Sequence, residues 1–181
     1  MRTLGVAALG CYGVHAAYHL AHGRPEDLLW ACHLGAALAG AGLLARSTTV
    51  NGIGTLFLCM GTPLWLMDLA AGGEFIPTSC FTHVGGLAIG LNGVARLGMP
   101  GGTWWKAALA LVVLIGVCRL ATPAYANVNV AFAIHPGWER FFSSHRVYLA
   151  SMIAVVSAYF VAVEHALRRW LVPRPAQEER V

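Results

Sequence analysis

The sequence predicts an all-α polytopic membrane protein, six transmembrane helices in one bundle, with residues 1–181 forming a single integral membrane domain. Three observations point there. Hydrophobic residues make up 57% of the chain and charged ones only 11%, whereas a soluble domain carries about a quarter charged. The apolar residues fall into six runs, each near the ~20 residues that cross a bilayer. Gly/Pro or short polar breaks separate most runs, leaving no stretch for a separate soluble domain. The net charge of +4 is small and scattered, which suits a topology signal and gives no reason to expect a nucleic-acid partner.

The first run, about 3–21, carries His15, Tyr18 and His19, with His22 just beyond, at offsets that share one helical stripe. No small-residue cleavage site precedes its histidine-rich end, so it reads as a retained helix and not a signal peptide. Gly23-Arg24-Pro25 ends it, and Pro25, Glu26 and Asp27 suit the first turn of the second helix, 27–45. That helix has a small-residue face of Gly35, Ala36, Ala39 and Gly40, which lets helices approach closely in lipid. The third run, 50–71, contains Pro63, tolerable if a neighbour satisfies the freed carbonyl. The fourth, 78–97, has Thr78 or Ser79 as cap and Gly86 and Gly90 at packing spacing. The fifth, 103–121, opens with the interfacial pair Trp104-Trp105. An outer loop, 122–144, is aromatic enough to lie on the membrane surface. The sixth run, 145–171, ends on Arg168-Arg169-Trp170 and is closed by Pro173 and Pro175, and Glu164-His165 near its end reads as a local polar pair.

Six helices place both termini on one side. Arg2, Arg46, Arg96, Lys106, Arg168, Arg169, Arg174 and Arg180 collect there, against Arg24, Arg119, Arg140 and Arg146 opposite, so both termini are expected in the cytoplasm. All histidines but His165 then lie toward the extracytoplasmic end, with Cys32, Cys80, Asp68 and Glu74. Cys32 and His83 each sit ~7 Å below their helix ends at ~1.5 Å per residue, and His15, His19 and Asp68 fall in a similar layer. Ionisable groups at that depth usually face a polar cavity. An outward-opening pocket between helices one to four is therefore expected, roofed by the outer loop.

Two chemistries suit this layer. A thiol attacks an acyl carbon when an imidazole takes its proton, which points to Cys32 as nucleophile and His83 as base. His33, adjacent in sequence, projects about 100° away from Cys32 on a helix and is a poorer base. Alternatively, His15 and His19 at i, i+4, completed by His33, Asp68 or His83, can hold zinc, or two histidines on different helices can hold b-type haem. Asp68 wants a partner at its depth, His83 or Arg119. The remaining cysteines show no CxxC spacing and read as buried free thiols.

Leu28-Leu29-Trp30-Ala31-Cys32-His33, Phe81-Thr82-His83-Val84-Gly85-Gly86, and Ala126-Asn127-Val128-Asn129 with His135-Pro136 resemble motifs of the YwaF-like six-helix bacterial membrane proteins. More distantly they resemble the transmembrane glycerophospholipid acyltransferases and the androgen-induced lipid hydrolases. The resemblance implies a bacterial plasma-membrane protein with an acyl-transfer site of Cys32 and His83 acting on a membrane lipid. Trp30-Ala31 replaces the Asn-Pro that precedes the Cys-His in the acyltransferases, and the hydrolases use a threonine nucleophile.

The leading expectation is lipid acyl transfer or ester hydrolysis without a cofactor. Asn127 or Asn129 would steady the oxyanion, and His15, His19, His33, Asp68 and His135 would line the pocket. The alternatives are a metal- or haem-binding membrane protein on His15, His19, His33 and His83, or a structural subunit whose glycine faces meet a membrane partner or a second copy.

Overall fold

The computed structural model describes residues 1–172, and the regular elements among them are all helical. Six α-helices follow in order: α1 (Arg2–Ala21), α2 (Ala31–Leu44), α3 (Thr48–Ala70), α4 (Gly86–Leu97), α5 (Thr103–Ala121) and α6 (His145–Trp170). Of these, α3, α5 and α6 are long and apolar enough to cross a membrane. α1 has the length, but its histidines and tyrosines lower its hydropathy; α2 has only 14 residues. Pro173, Arg174, Pro175 and Arg180, used above for helix ending and topology, lie outside the described residues.

Two expected helices are divided, and both divisions shape the site. The segment expected to start helix two at 27 is instead a 3₁₀ turn, Pro25–Leu29, followed by an extended Trp30 (φ −60°, ψ 133°), with α2 beginning at Ala31. Cys32 is therefore in the first turn of α2, not five residues inside it. Helix four opens with a π-turn, Phe81–Gly85, before α4 proper. A π-turn widens the helix and leaves carbonyls out of the regular ladder, and Thr62 of α3 donates to the carbonyl of His83 (3.2 Å).

The helices are brought together by small residues. A Cβ on Gly54 would strike the backbone of Ala39, Leu38 and Gly35, and one on Gly42 would strike Asn51, so α2 and α3 touch backbone to backbone. Gly40 meets Gly5 and Leu9 of α1, Gly86 meets Ala36, and Gly90 meets Thr55. These are the close approaches that the small-residue faces predicted. α5 and α6 pack on the far side of α3, where Phe57 of α3 and Phe160 of α6 face each other in the core with centroids 6.1 Å apart. Pro63 removes a donor from the α3 ladder, which frees the carbonyl of Cys59 four residues earlier. The Tyr159 hydroxyl of α6 donates to that carbonyl at 2.7 Å.

At the end of the bundle holding the 98–102 turn, Glu164 is buried and does not pair with its neighbour His165. Its carboxylate accepts from the backbone N–H of Gly102 (2.9 Å) and Trp104 (2.6 Å), capping α5, and lies 3.7 Å from Arg168. At the other end, the 122–144 loop is tied to the start of α2 by Asn129. Its side chain accepts from Ala31 N–H (3.0 Å) and donates to the Leu29 carbonyl (2.7 Å).

Candidate metal centre

Three imidazoles meet at one point near the end of the bundle where α1 finishes and α2 begins. His15 and His19, one turn apart on α1, face α2, and His33 in the first turn of α2 faces back. All three are buried, at 1%, 2% and 8% exposure. His15 Nε2 lies 3.1 Å from His33 Nε2 and 3.2 Å from His19 Nε2. The three ligand nitrogens all fall within 4.8 Å of one another. Two nitrogens bound to one tetrahedral zinc at ~2.0–2.1 Å stand about 3.3–3.4 Å apart, close to the two short separations.

The outer ring nitrogens explain why the inner ones converge. His33 Nδ1 donates to the Asp27 carbonyl at 2.7 Å; a carbonyl only accepts, so the His33 proton is on Nδ1 and its Nε2 carries a lone pair. His19 Nδ1 lies 3.1 Å from the Asp27 carboxylate. It is off the line of a directed hydrogen bond, yet the charge still favours a proton on that side. His15 Nδ1 is 2.8 Å from the Thr78 hydroxyl. Even with a proton on His15 Nε2, one hydrogen cannot point at two acceptors, so at least one of the short N···N approaches lacks a well-directed hydrogen bond. Two facing lone pairs repel in a buried site, whereas a single cation on all three would satisfy every one.

Asp27 is the hub of the outer shell. Besides its two histidine contacts, its carboxylate accepts from the Trp30 indole (3.1 Å) and lies 3.8 Å from Arg24. Arg24 in turn donates to Glu74 at 3.0 Å, and that bond pushes its pKa up from the ordinary value. A carboxylate and a carbonyl behind metal-facing imidazoles are the usual means of fixing their tautomer and orientation. Sequence reasoning placed Asp27 and Thr78 only as helix-start residues. The i, i+4 histidine pair was the signal that could have led to them.

Beside the trio stands a second group. His83, 2% exposed, stacks on Trp65 of α3 with centroids 4.7 Å apart and an interplanar angle of 2°. Its ring centroid is 5.8 Å from that of His33, and its Nδ1 is buried without a partner among the described residues. One ligand atom each of Cys32, His33 and His83 also falls within 4.8 Å of the others. Cys32 points toward α3, its Cβ pressed on Gly61.

The other expected pocket residues are elsewhere. Asp68 is exposed at the end of α3 against Gly73, apart from His83 and Arg119. Arg119 donates to the Ala131 carbonyl at 2.7 Å. His135 is exposed, its ring nitrogen on the Pro136 carbonyl. Asn127 accepts from Phe132 and Ala133 N–H and donates to the Ala133 carbonyl. With Asn129 holding α2, both asparagine amides are engaged by backbone and neither is free for an oxyanion. An open groove of about 540 Å³ lies elsewhere too, between α2, α3 and α5, and its lining is almost wholly apolar. No protein-family model matches the chain, and no curated protein or solved structure matches it.

Proposed function

We propose that this chain is a six-span integral membrane protein, both termini cytoplasmic, that holds a divalent transition metal on His15, His19 and His33 near its extracytoplasmic face. The convergence of three buried Nε2 atoms, two pairs of them 3.1 and 3.2 Å apart, carries the reading. Zinc suits the donors best, being commonly bound by imidazole in tetrahedral sites. Haem does not suit this trio, because axial nitrogens on opposite faces of a porphyrin stand ~4 Å apart with the macrocycle between them.

The test is metal content. Protein purified in detergent, loaded with zinc and desalted, is expected to retain close to one zinc per chain by plasma mass spectrometry. A His15→Ala/His19→Ala double variant of the same fold, checked by circular dichroism, is expected to retain almost none. Equal, substoichiometric zinc in both proteins would sink the reading.

A second reading keeps the chemistry of a thiol acyl carrier, in line with the resemblance to the YwaF-like and lipid acyltransferase families. The observation favouring it is that Cys32 and His83 offer ligand atoms within 4.8 Å of each other. It predicts labelling of Cys32 by a thiol-directed acyl probe that is lost in His83→Ala and unaffected by chelators. The metal reading predicts that chelators change the behaviour of the site.

A further inference from the structure

Three histidines leave a tetrahedral ion one position short, and His83 stands beside His33, centroids 5.8 Å apart, without belonging to the trio. One of its ring nitrogens falls within 4.8 Å of a His33 nitrogen, yet His83 is not part of the group that His15, His19 and His33 form. It is 2% exposed, its Nδ1 has no partner among the described residues, and Trp65 stacks against its plane. A buried imidazole that is orientated and still lacks a partner is unfavourable unless something between it and the neighbouring group completes its hydrogen bonding. A water-sized ligand is held well where two to four polar partners surround it.

We propose that the metal centre keeps an exchangeable fourth position, filled by a small oxygen or nitrogen Lewis base that His83 holds by a hydrogen bond. This rests on the metal reading and deepens it: closed four-residue sites are structural, whereas three protein ligands plus an exchangeable one make a centre open to chemistry. The ligand at rest is water, and small anions such as azide displace it. His83 is a positioning residue acting on that ligand, and the π-turn at Phe81–Gly85 is the local distortion that carries it there.

Cobalt(II) substituted for zinc reports the coordination directly. The expected spectrum is that of three nitrogens plus a light-atom ligand, and azide is expected to shift the visible bands in a saturable way. His83→Leu is expected to keep full cobalt content and bind azide roughly tenfold more weakly, the worth of about one hydrogen bond. His83→Asn, which retains a hydrogen-bonding group, is expected to recover part of that loss and guards against misfolding of the Leu variant. Three results would overturn the proposal: no response to azide, a thiolate-to-cobalt charge-transfer band that vanishes in Cys32→Ser, or loss of cobalt in both His83 variants. If the wild-type protein takes up no cobalt at all, the metal reading itself fails. Cobalt uptake with a closed spectrum overturns only the present inference.

Discussion

Asp27 faces two of the three converging imidazoles, through its carbonyl on His33 and its carboxylate beside His19. Asp27→Asn keeps an acceptor oxygen and removes only the charge. It is expected to weaken zinc about 10- to 100-fold, the usual effect of losing a partner behind a ligating histidine. Competition against a chromophoric chelator measures this, and unchanged affinity would mean that the carboxylate does not orient His19. The histidines themselves were legible in the chain, because i, i+4 spacing puts His15 and His19 on one face and His33 lies at the same depth. Asp27 was not. Its charge suited a helix start, and only the 3₁₀ turn with the extended Trp30 swings its carbonyl and carboxylate onto different rings. The same spacing that linked His15 and His19 also linked His22, which the structure leaves exposed, its ring on Tyr18; periodicity does not say where a helix leaves its neighbours.

Among the helices, α3 is the wall against which the site is built. Gly61 lies so close to Cys32 that any Cβ there overlaps the cysteine's own. Gly61→Ala is expected to push the first turn of α2 away from α3 and shift His33 relative to His15 and His19. The cost is about 1–3 kcal/mol of stability, as for other overpacked contacts, and zinc affinity falls with it. A thermal-shift assay in detergent with and without zinc separates the two effects. Asn129 works from the other side: Asn129→Ala strips Ala31 N–H and the Leu29 carbonyl of their partner, a loss of about 1–3 kcal/mol. It is expected to loosen the outer loop, read as faster proteolysis between 122 and 144. On the lipid-side seam, Tyr159→Phe leaves the Cys59 carbonyl freed by Pro63 unpaired, and about 1 kcal/mol is expected to be lost on unfolding in mixed micelles. The small-residue faces of α2 and α4 and the need for a partner at Pro63 followed from residue type alone. The break at Trp30 and the π-turn did not, because nothing in Leu29-Trp30-Ala31 or Phe81-Thr82-His83 departs from an ordinary apolar helix. Both are imposed by what packs across them, Asn129 in one case and Thr62 with Trp65 in the other.

Across the whole molecule the two ends of the bundle differ in kind. One end gathers Arg46, Arg96, Lys106, Arg168 and Arg169, with Glu164 clamping the start of α5. The opposite end holds the histidine trio, the Asp27–Arg24–Glu74 chain and the 122–144 loop. With α3, α5 and α6 long and apolar enough to cross a membrane, the proposed orientation turns the Lys- and Arg-rich end to the cytoplasm, the side where an excess of these residues is usually kept. The proposed six-span arrangement then fixes a side for every turn, which single cysteines in a background lacking the native ones can read. In intact cells, Glu74→Cys and Gly137→Cys are expected to react with a membrane-impermeant maleimide, while Ser47→Cys and Gly101→Cys react only after the membrane is opened. The opposite pattern would place the metal centre on the cytoplasmic side and reverse the topology. Labelling of Ser47→Cys and Gly101→Cys on different sides would rule out six spans, because α3 and the π-turn with α4 must cross as a pair to return the chain to the side it left.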